Sequence, residues 1–278
     1  MKKIIILIII FNSIFSFSQK TEKIKASKNV TISQKELIPF KKLELCNHLD
    51  VILIKGNECK LEIEADDNLH ETFTIKNTGD QLVISNQNKI SGSKKMLLKL
   101  TYNEDLESIL IKDDVKLTSI HDFENSKISI TAYNDSKLKL GIKNKNTTIN
   151  CYDNSKFEVA IITDEFTLNT INDSEFEADI SSLKSTISCI DKSSIEIKGT
   201  TEDLALTCKD SSDYKGKKFI SATANVNCKG KSLIEINCKN NLILNAINNS
   251  KIELFGTPKI QIDTFDGEVL LQKKVFNN

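Results

Sequence analysis

The sequence predicts an all-β chain: a single-stranded right-handed parallel β-helix, a solenoid with coils of about 19 residues. Two observations predict it. Asn/Asp-x-Ser recurs through the second half, with serines at Ser136, Ser155, Ser174, Ser193, Ser212, Ser232 and Ser250, six intervals averaging 19 residues. Around each serine apolar and polar residues alternate with a period of two, which marks strands with one face buried.

From the N-terminus, residues 1–18 read as a secretory signal peptide. Lys2 and Lys3 supply a basic start, residues 4–11 an apolar run, and Ser16 and Ser18 the small residues before Gln19. That run is far short of the ~20 residues a span requires, and Asn12 and Ser13 break it. Cleavage would leave 36 basic and 38 acidic residues, with no Cys at the cut to carry a lipid. A nearly neutral, not membrane-spanning protein of the periplasm or cell exterior is expected. Residues 19–39 carry little core pattern and are expected to form a lead-in strand, a cap or a tail.

Residues 40–275 are expected to be the β-helix domain. Over 40–105 its coils are longer and less regular: Leu43, Leu45, Val51, Leu53, Leu61, Ile63, Leu82 and Ile84 alternate in short strands, with turns at Gly56-Asn57 and Gly79-Asp80 and a polar loop over 86–95. Over 106–275 the 19-residue coils are regular. Six residues before each serine stands an aliphatic column, Ile130, Ile149, Leu168, Ile187, Leu206, Val226 and Leu244. Four before stands a small column, Ala132, Cys151, Thr170, Cys189, Cys208, Cys228 and Ala246, and two after stands Leu138, Phe157, Phe176, Ile195, Tyr214, Ile234 and Ile252. Two before each serine come Asn134, Asp153, Asn172, Asp191, Asp210, Gly230 and Asn248, all residue types that accept a left-handed backbone at a corner. The same columns extend upstream through Ile109, Ile111, Asp113 and Leu117, with Val115 in the serine place. Downstream they are expected at Ile260, Ile262, Asp266 and Leu270, with Glu268 in that place.

Nineteen residues cannot bury a core alone, but strands laid ~4.8 Å from those of the next coil turn each column into a continuous stack. The right-handed sense follows from the preference of parallel crossovers. A leucine-rich repeat would need a leucine consensus and a propeller blade ~40 residues. Composition narrows function further. The chain has 278 residues, 38 basic and 38 acidic, and every basic one is lysine. Without guanidinium groups and without net charge, nucleic-acid binding is disfavoured.

Residues 38–56 (IPFKKLELCNHLDVILIKG), 61–69 (LEIEADDNL), 80–84 (DQLVI) and 98–111 (LKLTYNEDLESILI) occur in this order. The set resembles the head GIN domain family of "putative auto-transporter adhesins". The family's Gly-Ser-Gly corners are replaced here by Asp113-Asp114-Val115 and Asn134-Asp135-Ser136. The resemblance implies a secreted β-helix of adhesive or unknown function, and it transfers no catalytic residues.

Residues able to carry chemistry have a structural explanation each. Seven Cys in an exported chain suggest disulfides, and Cys46 with Cys59 in adjacent strands could pair. In the column of Cys151, Cys189, Cys208 and Cys228, with Cys238 also inward, parallel Cβ vectors fit a disulfide poorly, and small apolar filling is the simpler reading. No CxxC or neighbouring His indicates a metal. His48, His70 and His121 read as solvated loop residues, and seven equivalent corner serines as turn formers bonded to corner backbone. The corners lack the nine-residue, glycine-rich repeat of calcium-binding rolls. A polysaccharide-active enzyme, the rival class, would need loops leaving the coils to build a cleft. The stripe Glu158, Glu177, Glu196, Glu235 and Glu253, with Lys139 and Lys215, is read instead as the solvated face of a convex sheet. Catalytic residues, cofactors and metals are therefore expected to be none.

The candidate binding face lies five and seven residues before each serine. It contains Thr148, Asn150, Thr167, Asn169, Thr186, Ser188, Thr207, Asn225, Asn227 and Asn245, with Ser129, Thr131, Ala205 and Ile243 completing the two rows. None is charged, in a chain with 27% charged residues. Threonine suits strands and stacked Asn bond one another, which explains the rows structurally. The functional expectation is a non-enzymatic, adhesin-like module meeting a neutral, regular partner such as a glycan, or ice. The alternative is an envelope-assembly role through a cell-envelope protein. Oligomeric state is not readable.

Overall fold

The computed structural model describes residues 23–103 and 106–275, so the leader expected at 1–18 lies outside the described residues. The chain is a β-solenoid of about nine turns with coils of about 19 residues. Each regular coil contributes one stretch to each of two parallel sheets. In the coils that begin at Lys156–Ile171, Glu175–Cys189, Ser194–Asp210, Asp213–Gly230 and Leu233–Ile247, a single long strand bends from one sheet to the other.

The columns read from the sequence are the hydrogen-bonded register. Ile149, Leu168, Ile187, Leu206, Val226 and Leu244 are successive partners, as are Phe157, Phe176, Ile195, Tyr214 and Ile234. All are at most 3% exposed. The corners turn through left-handed residues: Asn134, Asp153, Asn172, Asp191, Asp210 and Asn248 have φ between 51° and 67°. In five corners the following residue, Asp114, Asp135, Asn154, Asp173 or Lys192, is left-handed too. The second bend between the sheets is lined by buried hydroxyls. Thr147 and Thr163 both donate to Asn144 Oδ1, at 2.8 and 2.9 Å, and Ser182 Oγ bonds both Ser185 Oγ (2.8 Å) and Thr201 Oγ1 (3.0 Å).

The first interval, 21 residues from Ile109 to Ile130, is lengthened by the loop between Lys116–Ser119 and Lys127–Ala132, and later departures from 19 are bulges or register shifts. The twenty-residue interval before Ser232 places Gly216 and Lys217 where the preceding coil has only Ile197. Downstream Ile260 and Ile262 keep the expected columns and the positions beyond them are off by one. Asp263 is an extra residue between Ile262, opposite Leu244, and Thr264, opposite Asn245. Gly267 (φ 82°), not Asp266, then takes the corner, and Leu271, not Leu270, lies opposite Ile252. A bulge advances the chain by one residue, which exchanges inward and outward positions.

The N-terminal part obeys other rules. Strands Lys42–Cys46 and Asp50–Lys55 form a coil parallel to Ser108–Lys112 and Lys116–Ser119. Their other edges carry Gln81–Asn86 and Met96–Tyr102, also parallel, so this coil lies between two later segments of chain. Antiparallel pairs follow: Lys60–Asp66 on Met96–Tyr102, Val30–Glu36 on Lys60–Asp66, and Phe73–Thr78 on Gln81–Asn86. The stretch expected as a polar loop holds a strand, Lys89–Ser91, paired with Lys23–Lys25. The buried Asp66 secures the closure: its Oδ2 accepts from the backbone N–H of Lys94 (2.9 Å) and Lys95 (3.3 Å).

Candidate functional site

The two uncharged rows lie side by side on the first sheet. One runs Ser129, Thr148, Thr167, Thr186, Ala205, Asn225 and Ile243, the other Thr131, Asn150, Asn169, Ser188, Thr207, Asn227 and Asn245. Every one is half-buried or exposed, because strand parity turns it away from the core. Asn169 Nδ2 donates to Asn150 Oδ1 (2.9 Å) and Asn150 Nδ2 to Thr131 Oγ1 (3.2 Å). Such a ladder fixes amides and hydroxyls at the strand repeat without any charge. Over Ala205, Asn225 and Ile243 the face dips into a shallow hollow of about 320 Å³.

The two long edges of this strip differ. On one side stands a row charged at four of five positions, Lys127, Asn146, Glu165, Lys184 and Asp203, with Asn146 Nδ2 donating to Glu165 (2.8 Å). On the other stand Tyr133 and Tyr152, rings stacked at 4.8 Å and 16°, followed by Ile171. These tyrosines were not singled out in the sequence, although they are visible as the residues three before Ser136 and Ser155. An aromatic body with a polar tip beside hydroxyls and amides is suited to a ligand with both apolar C–H faces and hydroxyl groups.

The sheet with the acidic stripe is not convex. It is hollowed into a groove of about 830 Å³, whose lining includes Asp122, Lys139, Glu158, Glu177, Glu196 and Lys215. Two features shape it. Small residues in consecutive coils, Gly141 and Ala160, lower the floor, with Asp122 packed so closely over Gly141 that a Cβ there would lie 1.9 Å from its Oδ1. The bulge at Gly216–Lys217 adds Lys217 and Lys218 to the lining. Sequence could not show this, since the loop carrying Asp122 lies outside the period. Chemically the groove holds ion pairs, Lys139 with Glu158 (2.6 Å) and Lys198 with Asp179 (3.5 Å). A carboxyl that serves as general acid near neutral pH needs a raised pKa, from burial in an apolar pocket or from a neighbouring like charge. Glu158, Glu177 and Glu196 stand exposed to water, but Glu235 and Glu253 of the same stripe are half-buried, and Glu235, which also lines the groove, has a buried Oε2 without a partner among the described residues, so the expected solvated face holds only for the first three.

The other residues weighed for chemistry are placed as follows. The seven corner serines are at most 1% exposed, out of reach of any substrate. Ser193 Oγ donates to Ile190 O (2.7 Å) and Ser250 Oγ to Ile247 O (3.0 Å), the expected corner bonds, whereas the Ser155 and Ser174 hydroxyls find no partner among the described residues. All seven cysteines are buried free thiols, Cys46 and Cys59 included. Burial pushes Cys151 and Cys208 well up and Cys228 to about 11, while the hydrogen bond with Cys208 draws Cys189 down to about 7. His48 and His121 are exposed, His48 within a left-handed corner. His70 is not a free loop residue: Thr31 Oγ1 lies 2.8 Å from its Nε2 and Ser33 Oγ 2.8 Å from its Nδ1. With both ring nitrogens engaged, it ties strand Val30–Glu36 to the turn at Asp67–Thr72.

Comparison with known proteins agrees with this geometry. The family model described as "Putative auto-transporter adhesin, head GIN domain" matches residues 39–160 and 156–258. No curated protein matches the chain. Among solved structures, a "putative adhesin" from Parabacteroides merdae superposes with a TM-score of 0.69 at 13% identity, covering 91% of this chain and 100% of that one. One from Parabacteroides distasonis gives 0.63 at 15% with the same coverage. A "putative lipid binding protein" from the same species gives 0.62 at 15%, again over 91% and 100%. At such identities the likeness is one of fold. Among the described residues no helix is long and apolar enough to cross a membrane.

Proposed function

Since the chain belongs to the family described as "Putative auto-transporter adhesin, head GIN domain", we propose that it is a non-enzymatic binding module, exported through its leader, that recognises a neutral glycan on the strip of Thr and Asn side chains. The observation that carries this reading is the pair of uncharged rows held in register across seven coils. A neutral polymer can lie along them without stripping water from an unpaired charge. The stacked Tyr133 and Tyr152 supply an apolar edge for the sugar ring faces.

The test is glycan-array binding by the double variant Thr167→Lys/Asn169→Glu. Both side chains point outward, so the variant is expected to fold and melt like the parent and to lose glycan binding. Undiminished binding would move the function away from this strip.

A further inference from the structure

Among the described residues the last coil presents core residues with no coil above them. Ile260 and Ile262 are 45% and 49% exposed, whereas Leu242 and Leu244, their partners one coil earlier, are 1% and 0% exposed. Strand Lys259–Asp266 is hydrogen-bonded along one edge, to Leu233–Ile247, and strand Leu270–Lys273 likewise to Lys251–Phe255. Among the described residues their outer edges pair with nothing. A bare strand edge beside half-exposed aliphatic side chains is a template for another strand.

We propose that this coil is a self-association surface, on which two copies of the chain stack end to end with strand Lys259–Asp266 pairing antiparallel to its counterpart. Charge complementarity selects a second copy as the occupant. With a two-fold axis at Gln261, Ile260 of one copy lies opposite Ile262 of the other, and Lys259 lies opposite Asp263. Residues directly opposite in an antiparallel pair share a face. The isoleucines therefore close over the core, and the opposite charges meet outside it. Lys259 makes no ion pair among the described residues, and Asp263 carries one bond, from Gln261 Nε2 to its Oδ1 at 2.8 Å. The bulge at Asp263 limits pairing to the first half of the strand, because the backbone beyond it is out of register. A two-fold contact of this kind is isologous and stops at a dimer.

Sedimentation equilibrium of the full chain is expected to show a monomer–dimer equilibrium. Ile262→Asp should raise the dimer dissociation constant at least about tenfold, since it buries an unpaired carboxylate. Lys259→Asp should raise it about two- to fivefold, and Lys259→Asp/Asp263→Lys should restore it. Far-UV circular dichroism checks the fold of each variant, and the charge exchange decides the matter even where Ile262→Asp fails to fold. Gln261→Cys, oxidised by air with a copper catalyst, should cross-link to itself. A monomer at every concentration, a dimer indifferent to these substitutions, failure of the exchange to restore pairing, or cross-linking of Gln261→Cys only to a Cys placed at Ile32 would overturn the proposal. The last outcome would indicate head-to-tail stacking.

Discussion

The regular coils and the N-terminal part bury their cores by different means. From residue 106 onward strand residues sit on counterparts 17 to 21 residues away, mostly 19, so packing repeats and no single residue defines the arrangement. Before residue 103, strands far apart in sequence meet antiparallel, and single polar groups fasten them. Asp66 holds Lys94 and Lys95 from 28 and 29 residues away, and buried Asn86 donates to Thr72 Oγ1 at 3.1 Å. A solenoid needs such a closure, since an end strand without a neighbour exposes both backbone and core. Among the described residues one end has antiparallel strands over its core, the outermost being Val30–Glu36, and the other stops at half-exposed Ile260 and Ile262.

The contrast can be broken most forcefully within the stack. Leu168 is 0% exposed between Ile149 and Ile187. Leu168→Asp should cost on the order of 4 kcal/mol or more and yield unfolded or insoluble protein. An unchanged melting temperature would disprove the register.

Asp66→Ala should act on the closure alone. It leaves the Lys94 and Lys95 amides without acceptors. Hydrogen exchange should accelerate over 23–36 and 89–96 while residues 140–250 keep their protection, and uniform loss of protection would show the two parts to be one cooperative unit. The same group sets an acid limit. Burial would raise its carboxyl, but the backbone N–H groups of Lys94, Lys95 and Lys28 outweigh this and hold it below the usual aspartate range. A lowered folded-state pKa stabilises above the unfolded value and is lost as pH falls through the folded one. The closure should therefore loosen only below about pH 4, as seen by exchange over the same residues, and Asp66→Asn should remove that pH dependence.

The smallest effect is shared by both parts. Asn172 (φ 59°) in a regular corner and Asn47 (φ 66°) in the N-terminal coil occupy the same turn. Replacement by Ala should cost ~1–2 kcal/mol at either, and replacement by Gly close to nothing. Chemical denaturation of the four variants checks this, and a cost at one site only would separate the turns.

Much of the regular part was visible in the sequence because a left-handed corner without glycine requires Asn or Asp, and because stacked strands need like residues at like positions. The strip of Thr148, Asn150, Thr167 and Asn169 was visible for the same reason. The tyrosine edge was visible only as two members of an unexamined column. His70 was misjudged because nothing near it in sequence indicates Thr31 and Ser33. The groove was missed because its depth depends on Asp122 packing over Gly141 and on a bulge of one residue at Gly216–Lys217.

By itself, then, the sequence determined the coil length, the corners, the inward columns and the family, since a parallel stack writes its contacts as a period along the chain. Tertiary structure decided what has no period: the antiparallel closure, the bulge that moved Leu271 into the place expected for Leu270, the hollow in the charged sheet and the uncovered last coil. Each arises where residues unrelated in spacing meet, or where a stack stops, and a repeat carries no information about either.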